Sequence, residues 1–209
     1  MSQQEIWMIR HALTLENERN IMIGHSDPPL SEKGVQDAHA LAKRLADQPA
    51  SRLFCSPLVR AKTTAQIIAA AHRPHLSIEE SLLLREIHFG IIEGLPKDTA
   101  LEKYRVLMEQ AQDPTSDDFG FPNGELRSEV VQRLMNFFAT ISHLQSGDPI
   151  WVVTHGGLIG LGIAKAFDLP LGAFRQFQPP HASVTRFIVE YDNHLVHHLT
   201  LIGHHPLSH

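Results

Sequence analysis

Two short apolar runs, each ending in a histidine, constrain this chain more than any other feature. Ile6-Trp7-Met8-Ile9 breaks into Arg10-His11, and Pro149-Ile150-Trp151-Val152-Val153-Thr154 breaks into His155-Gly156-Gly157 about half a chain later. Apolar runs without alternation suit central strands of a parallel sheet covered on both faces. Ligands of open α/β sheets sit beyond the carboxyl ends of the strands, so both histidines are expected to face one crevice. One histidine after one strand would be weak evidence; the repetition carries the signal.

The rest of the chain alternates strands with helices. Residues 12 to 30 lack periodicity and contain Gly24-His25-Ser26-Asp27-Pro28-Pro29, a loop placed to lie over the first strand end. Ser31 caps a helix with Val35, Ala38, Leu41, Ala42 and Leu45 on one face, its first turn weakened by Gly34. Arg52–Cys55 reads as a short strand, and Ser56-Pro57 as a helix start, with Ser as N-cap and Pro first in a helix reaching about Ala71. Leu76-Ser77-Ile78 and Leu82-Leu83-Leu84 predict a short strand and a turn leading into Arg85-Glu86-Ile87-His88-Phe89-Gly90. Helices are expected at 98–110 (Leu101, Tyr104, Arg105, Met108), at about 125–144 and, nearly all apolar and buried, at 158–167, with a polar loop at 112–124. Ser183–Glu190 and Leu195–Ile202 flank Asp192-Asn193 and predict a closing hairpin at a sheet edge. No repeat or linker divides the 209 residues, so the expectation is one domain, 1–209, of α/β class: three layers, a mainly parallel sheet flanked by helices on both faces.

Composition excludes several functions. With 43% apolar residues, 20% charged residues and a net charge of −5, the chain is expected to be a globular protein without general affinity for nucleic acid. A lone Cys55 allows no internal disulfide, the start of the sequence lacks a signal-peptide pattern, and no apolar run reaches transmembrane length. A cytoplasmic protein without nucleic-acid or membrane partners is expected. Oligomeric state is left open.

Any anion site must therefore come from a local cluster of cations. Arg60 falls in the first turn of the helix after the Cys55 strand, again at a strand's carboxyl end. Arg10, Arg60, His11 and His155 can then converge on one anion, and guanidinium forks match phosphate oxygens. These residues resemble a known family. Arg10-His11 with Thr14 and Asn17, Ser56-Pro57-Leu58 with Arg60-Ala61 and Thr64-Ala65, Leu84-Arg85-Glu86 with Phe89-Gly90 and Glu93-Gly94, Pro122-Asn123-Gly124-Glu125, and Thr154-His155-Gly156-Gly157 follow the order of the histidine phosphatase superfamily, which includes phosphoglycerate mutases. One departure is visible: Ala12 stands where the family usually has Gly.

The resemblance implies roles. His11 would be the nucleophile that forms a phosphohistidine, kept neutral by Arg10 and Arg60; Glu86 would be the general acid and then base; His155 would complete the catalytic set. Arg10, Arg60, Thr14, Asn17 and Gly156 would hold the substrate phosphate. The arginines would supply charge that other phosphoryl-transfer enzymes take from Mg²⁺, and neither metal nor other cofactor is expected. Glu93 competes with Glu86 for the acid role, and Glu86 is preferred on block position. Arg60 as a surface cation is the plain alternative to its phosphate role. His39, His72, His75 and His143 read as satisfied structural histidines, and His194, His197, His198, His204, His205 and His209 as an edge strand and tail, not a metal site. The expected activity is hydrolysis of a small phosphomonoester, the partner being a small phosphorylated metabolite. Alternatives are a cofactor-dependent phosphoglycerate mutase, against which the short span from Glu86 to Pro122 argues, and a non-catalytic phosphate-binding module. Residues 91 to 123 and 168 to 181 are expected to cap the site.

Overall fold

The computed structural model describes residues 2–116, 118–144 and 147–205. Six strands, β1 (Ser2–Arg10), β2 (Arg52–Cys55), β3 (Ile78–Glu80), β4 (Ile150–Thr154), β5 (Val184–Asp192) and β6 (Leu195–His205), form one sheet in the order β3-β2-β4-β1-β5-β6. The first four are mutually parallel, while β5 runs antiparallel to β1 and β6 antiparallel to β5. The sheet is therefore mixed, and the closing hairpin supplies the antiparallel edge. Helices are α1 (Leu15–Glu18), α2 (Glu32–Leu45), α3 (Val59–Ala71), α4 (Lys97–Lys103), α5 (Arg105–Gln112), α6 (Arg127–Ile141) and α7 (Gly156–Ala166).

Strand pleating sends alternate residues of β1 and β4 to opposite faces, and each face meets its own helices. Ile6, Met8, Ile150 and Val152 pack with Leu134, Phe137 and Phe138 of α6 and Leu158 and Ile159 of α7. Trp7, Ile9, Trp151 and Val153 pack with Leu41 and Leu45 of α2 and Ala65 and Ile68 of α3. These are the three layers that the apolar runs predict. Trp7 stacks on Trp151 at 5.6 Å across the strand pair. A third, smaller core of Ile92, Ala100, Met108, Ala111 and Phe121 belongs to α4, α5 and the segments on either side of them. It lets the residue 91 to 123 segment hold its own shape.

Several boundaries differ from expectation. The helix expected at 98–110 is two helices that meet at Tyr104, whose backbone (φ −127, ψ 41) breaks the spiral; Leu101 on its surface is 41% exposed. α6 is shorter than expected at both ends, and α7 starts at Gly156 instead of 158. α3 starts at Val59, with Leu58 in the cap position and no side-chain cap, so Ser56 and Pro57 precede the helix. In α2 Val35 is exposed and Gly34 faces inward, because a Cβ there would strike the Leu13 carbonyl.

The four histidines read as structural also divide. Only His72 is buried, bonded to the carbonyls of Pro74 and Gln48, while His39, His75 and His143 are exposed. His194, in the hairpin turn, and His197 and His198, on edge strand β6, are exposed. His209 and the side chains of His204 and His205 lie outside the described residues. Among the described residues no group of His, Cys, Asp and Glu is arranged to hold a metal ion, and no single helix is long and apolar enough to cross a membrane.

Candidate active site

Strand register brings the two histidines together. Arg10 pairs with Thr154 across β1 and β4, so the next residues, His11 and His155, leave the sheet side by side with ring centroids 5.1 Å apart. The His11 Nδ1 lies 2.7 Å from the Ala12 carbonyl oxygen, which can only accept, so Nδ1 carries the proton and Nε2 keeps its lone pair. Burial, then Arg60, His181 and Arg10, hold the His11 pKa well below 6.5, so the ring stays neutral. His155 is held low by burial first and then by Arg60. Its Nε2 sits 2.8 Å from the hydroxyl of Ser56, whose oxygen accepts from the Leu58 N–H at 3.3 Å. Ser56 thus serves the second histidine in place of the helix cap expected from the sequence.

The arginines form the charged surround. Arg60 is fully buried, which removes its reading as a surface cation. It donates to the carbonyls of Gly24 and Ser26 at 2.7 and 2.8 Å, so the loop expected over the strand end orients its fork. Arg10 donates to the Pro179 carbonyl, and its Nη2 lies 2.9 Å from His181 Nε2. An arginine has only donors, so His181 accepts and is neutral; burial and then Arg10 push its pKa down to about 3. Among the described residues, three of the seven buried side-chain polar atoms without a partner belong here: Arg10 Nε, Arg60 Nε and His155 Nδ1. The two guanidinium Nε atoms can only donate, and buried donors left unpaired are costly.

A cavity of about 270 Å³ opens in front of this group, lined by Arg10, His11, Asn17, Glu86, Lys97, Arg175 and His181 among others. Arg60, His155, Thr14 and Gly156 are not on its wall. Thr14 is fully buried and caps α1: its hydroxyl accepts from the Asn17 N–H at 3.1 Å and donates to Asn17 Oδ1 at 3.0 Å. Asn17 faces the pocket, and Thr14 holds Asn17. Gly156 opens α7, and a Cβ on it would stand 2.8 Å from Arg10 Cζ, so its duty in the fold is to let that guanidinium lie against the helix start. A Cβ on Gly157 would strike Glu86, whose two oxygens accept from the N–H groups of Ile87 and Gly157 at 2.9 and 3.0 Å.

Glu93 is placed differently from Glu86. Its carboxylate accepts from the N–H groups of His25, Ser26 and Phe89, at 2.9 Å each, and from the Ser26 hydroxyl at 3.0 Å. Burial would raise its pKa, but these four bonds together lower it. Glu93 therefore ties down the loop whose carbonyls hold Arg60, and it does not line the cavity. Ala12 does not adopt positive φ and its methyl is buried in the core beside Ile9, so the backbone tolerates the replacement of Gly. The Ala12 N–H donates to Thr64 Oγ1 at 3.1 Å, and Thr64 donates to the Arg60 carbonyl at 2.7 Å.

The fold is of α/β class, with paired histidines and paired arginines at the carboxyl ends of its parallel strands. The chain matches the histidine phosphatase superfamily (branch 1) over residues 6–201, and it belongs to that family. It is 29% identical over 182 residues to a probable phosphoglycerate mutase GpmB of Yersinia pestis, covering 87% of this chain and 83% of that protein. Among solved structures, a mycobacterial glucosyl-3-phosphoglycerate phosphatase superposes with a TM-score of 0.83 at 25% identity, covering 96% of this chain and 98% of that one. The α-ribazole phosphatase of Shigella flexneri superposes with a TM-score of 0.78 at 25% identity, covering 95% and 94%.

Proposed function

We propose that this protein is a phosphatase that hydrolyses a small phosphomonoester through a phosphohistidine and draws its positive charge from its own side chains. The observation that carries the reading is the free Nε2 of a neutral His11 set among the unpaired Nε donors of Arg10 and Arg60 and the unpartnered Nδ1 of His155. In this reading Nε2 attacks phosphorus in line while those donors bind the non-bridging oxygens, where negative charge must be held throughout the transfer. Glu86, on the cavity wall and oriented by two backbone N–H groups, gives a proton to the leaving oxygen and then takes one from the water that cleaves the phosphohistidine. His181 is a positioning residue that fixes the Arg10 fork. The substrate is a phosphorylated metabolite, and a lone, free, buried Cys55 suits a reducing compartment such as the cytoplasm.

The named activities of similar proteins support hydrolysis from two sides, since both solved structures above are called phosphatases. The mutase name of the sequence relative keeps isomerisation as the second reading. A panel of metabolite phosphates assayed with EDTA present tests the proposal. Steady release of inorganic phosphate without added bisphosphoglycerate is expected, with an acid-labile phosphoenzyme trapped on His11. Interconversion of phosphoglycerates that far outpaces phosphate release would move the chain to the mutases, and phosphate binding without turnover would make it a binding module.

A further inference from the structure

One guanidinium in the cap has no counter-charge among the described residues. Arg175 lies in the 3₁₀ helix Leu171–Phe177 and lines the same cavity as His11 and Glu86. Its Nε donates to the Ala111 carbonyl at 3.2 Å and its plane lies 5.5 Å from the Phe174 ring. Arg127 donates to that same carbonyl at 2.7 Å and lies 5.4 Å from the same ring, so two guanidiniums share one acceptor and one aromatic ring. Arg127 has Asp113 and Asp118 in its electrostatic surround and a bond to Ser116. Arg175 forms no ion pair among the described residues, and burial lowers its pKa. Along the cavity wall the cations are Arg10, Arg175 and Lys97, and the one carboxylate, Glu86, is bonded to backbone N–H groups. The rest of the wall mixes apolar side chains such as Met22, Ile23, Phe89 and Met108 with the amides of Asn17, Asn20 and Gln178.

A single phosphate on His11 engages Arg10 and leaves Arg175 unmatched. Arg175 is half-buried on the cavity wall, where its fork can meet a ligand, and a planar fork pairs with carboxylate or phosphate equally well. We propose that the cavity binds substrates with a second acidic group, carboxylate or phosphate, which Arg175 receives while Lys97 adds charge from the same wall. The proposal rests on the phosphatase reading and specifies its substrate class: a phosphomonoester whose apolar or weakly polar body ends in another anion.

The test uses matched alkyl phosphates with three-carbon and six-carbon bodies. Each body is made with a terminal hydroxyl, a terminal carboxylate or a second phosphate, and kcat/KM is measured for the wild type, Arg175→Gln and Arg175→Lys. The wild type is expected to favour at least one acidic member over its hydroxyl congener by about 10- to 100-fold, the range of a charged hydrogen bond. Whether the carboxylate or the bisphosphate wins assigns the second group. Arg175→Gln should bring that ratio to near one, and Arg175→Lys should restore part of it. Because the readout is a ratio within one variant, a general loss of packing around Phe174 cancels. Equal kcat/KM for acidic and neutral members at both lengths, or a preference that survives Arg175→Gln, would overturn the second-anion site while leaving the phosphatase intact. Failure to hydrolyse any member would instead remove the phosphatase reading and this proposal with it.

Discussion

The floor of the pocket and its cap are built by different rules. The floor consists of His11, His155, Arg60 and Ser56, all buried, each at the end of a parallel strand or in the first turn after one, and locked by strand register or bonds to backbone. The cap has two parts: α4 and α5 pack on their own small core, while the 3₁₀ helix Leu171–Phe177 sends Phe174 into the main core and leads to His181, which meets the Arg10 guanidinium. A floor this constrained can hold reacting atoms in one geometry, which transfer chemistry requires. The α4 and α5 part, with its separate core, can vary in what it offers the substrate and leave the sheet undisturbed.

That difference sets an order of expected effects. The largest belongs to the floor: His11→Ala should lower turnover by about 10⁴- to 10⁶-fold, since removing a nucleophile removes the covalent route altogether. Inorganic phosphate should still bind, measured by calorimetry, because Arg10, Arg60 and His155 keep their supports. An active His11→Ala protein would sink the phosphohistidine mechanism and, with it, the separation of floor from cap.

The boundary between the two regions is tested by its two glutamates. Glu86→Gln should slow alkyl phosphates by about 10²- to 10⁴-fold and spare p-nitrophenyl phosphate in the phosphorylation step, because a phenolate leaves without a proton. Single-turnover bursts isolate that step from the later hydrolysis. Glu93→Gln should show no such dependence on the leaving group; weakening its four bonds loosens the loop that holds Arg60 and should raise KM for both substrate types, by about tenfold. If Glu93→Gln gives the leaving-group dependence, the two roles are exchanged.

The floor was also the legible part. His11, His155 and Arg60 stand immediately after apolar runs or inside a helix start, so local pattern placed them at strand ends before any contact was known. Ser56 was legible as a residue before a helix but not as the partner of His155, because that bond depends on β2 lying next to β4. His181 carried no signal: it follows Pro179-Pro180 in a loop, and only the passage of Ser183 beside Arg10 brings it to the guanidinium. Thr14 was read as a phosphate ligand, yet its hydroxyl is spent on Asn17, a choice made by the backbone geometry of α1. In the cap, Tyr104 interrupts a helix whose apolar spacing gave no warning of a break.

The smallest expected effect concerns pH and again divides the regions. His11 and His155 in the floor and His181 in the cap all have folded-state pKa values below 6.5, that of His181 being about 3. In each case the unfolded chain binds the proton first as the pH falls, so the stabilising contribution is present above about pH 6.5 and is lost below it. Each such histidine contributes a slope of up to about 1.4 kcal/mol per pH unit while only the unfolded form titrates. His25, whose pKa is lowered by burial and then by Arg85, adds to the same slope. The carboxylates held low, Glu93 and Glu125, titrate from 4.5 downward and leave the window between about pH 6.5 and 5 to the histidines. His181→Asn keeps an acceptor for Arg10 and removes one titrating ring, so urea unfolding in phosphate-free buffer should show a wild-type decline across that window and a decline smaller by about a quarter to a third in the variant. An unchanged slope would mean that His181 is already solvated, as expected if the cap opens from the floor before the sheet unfolds.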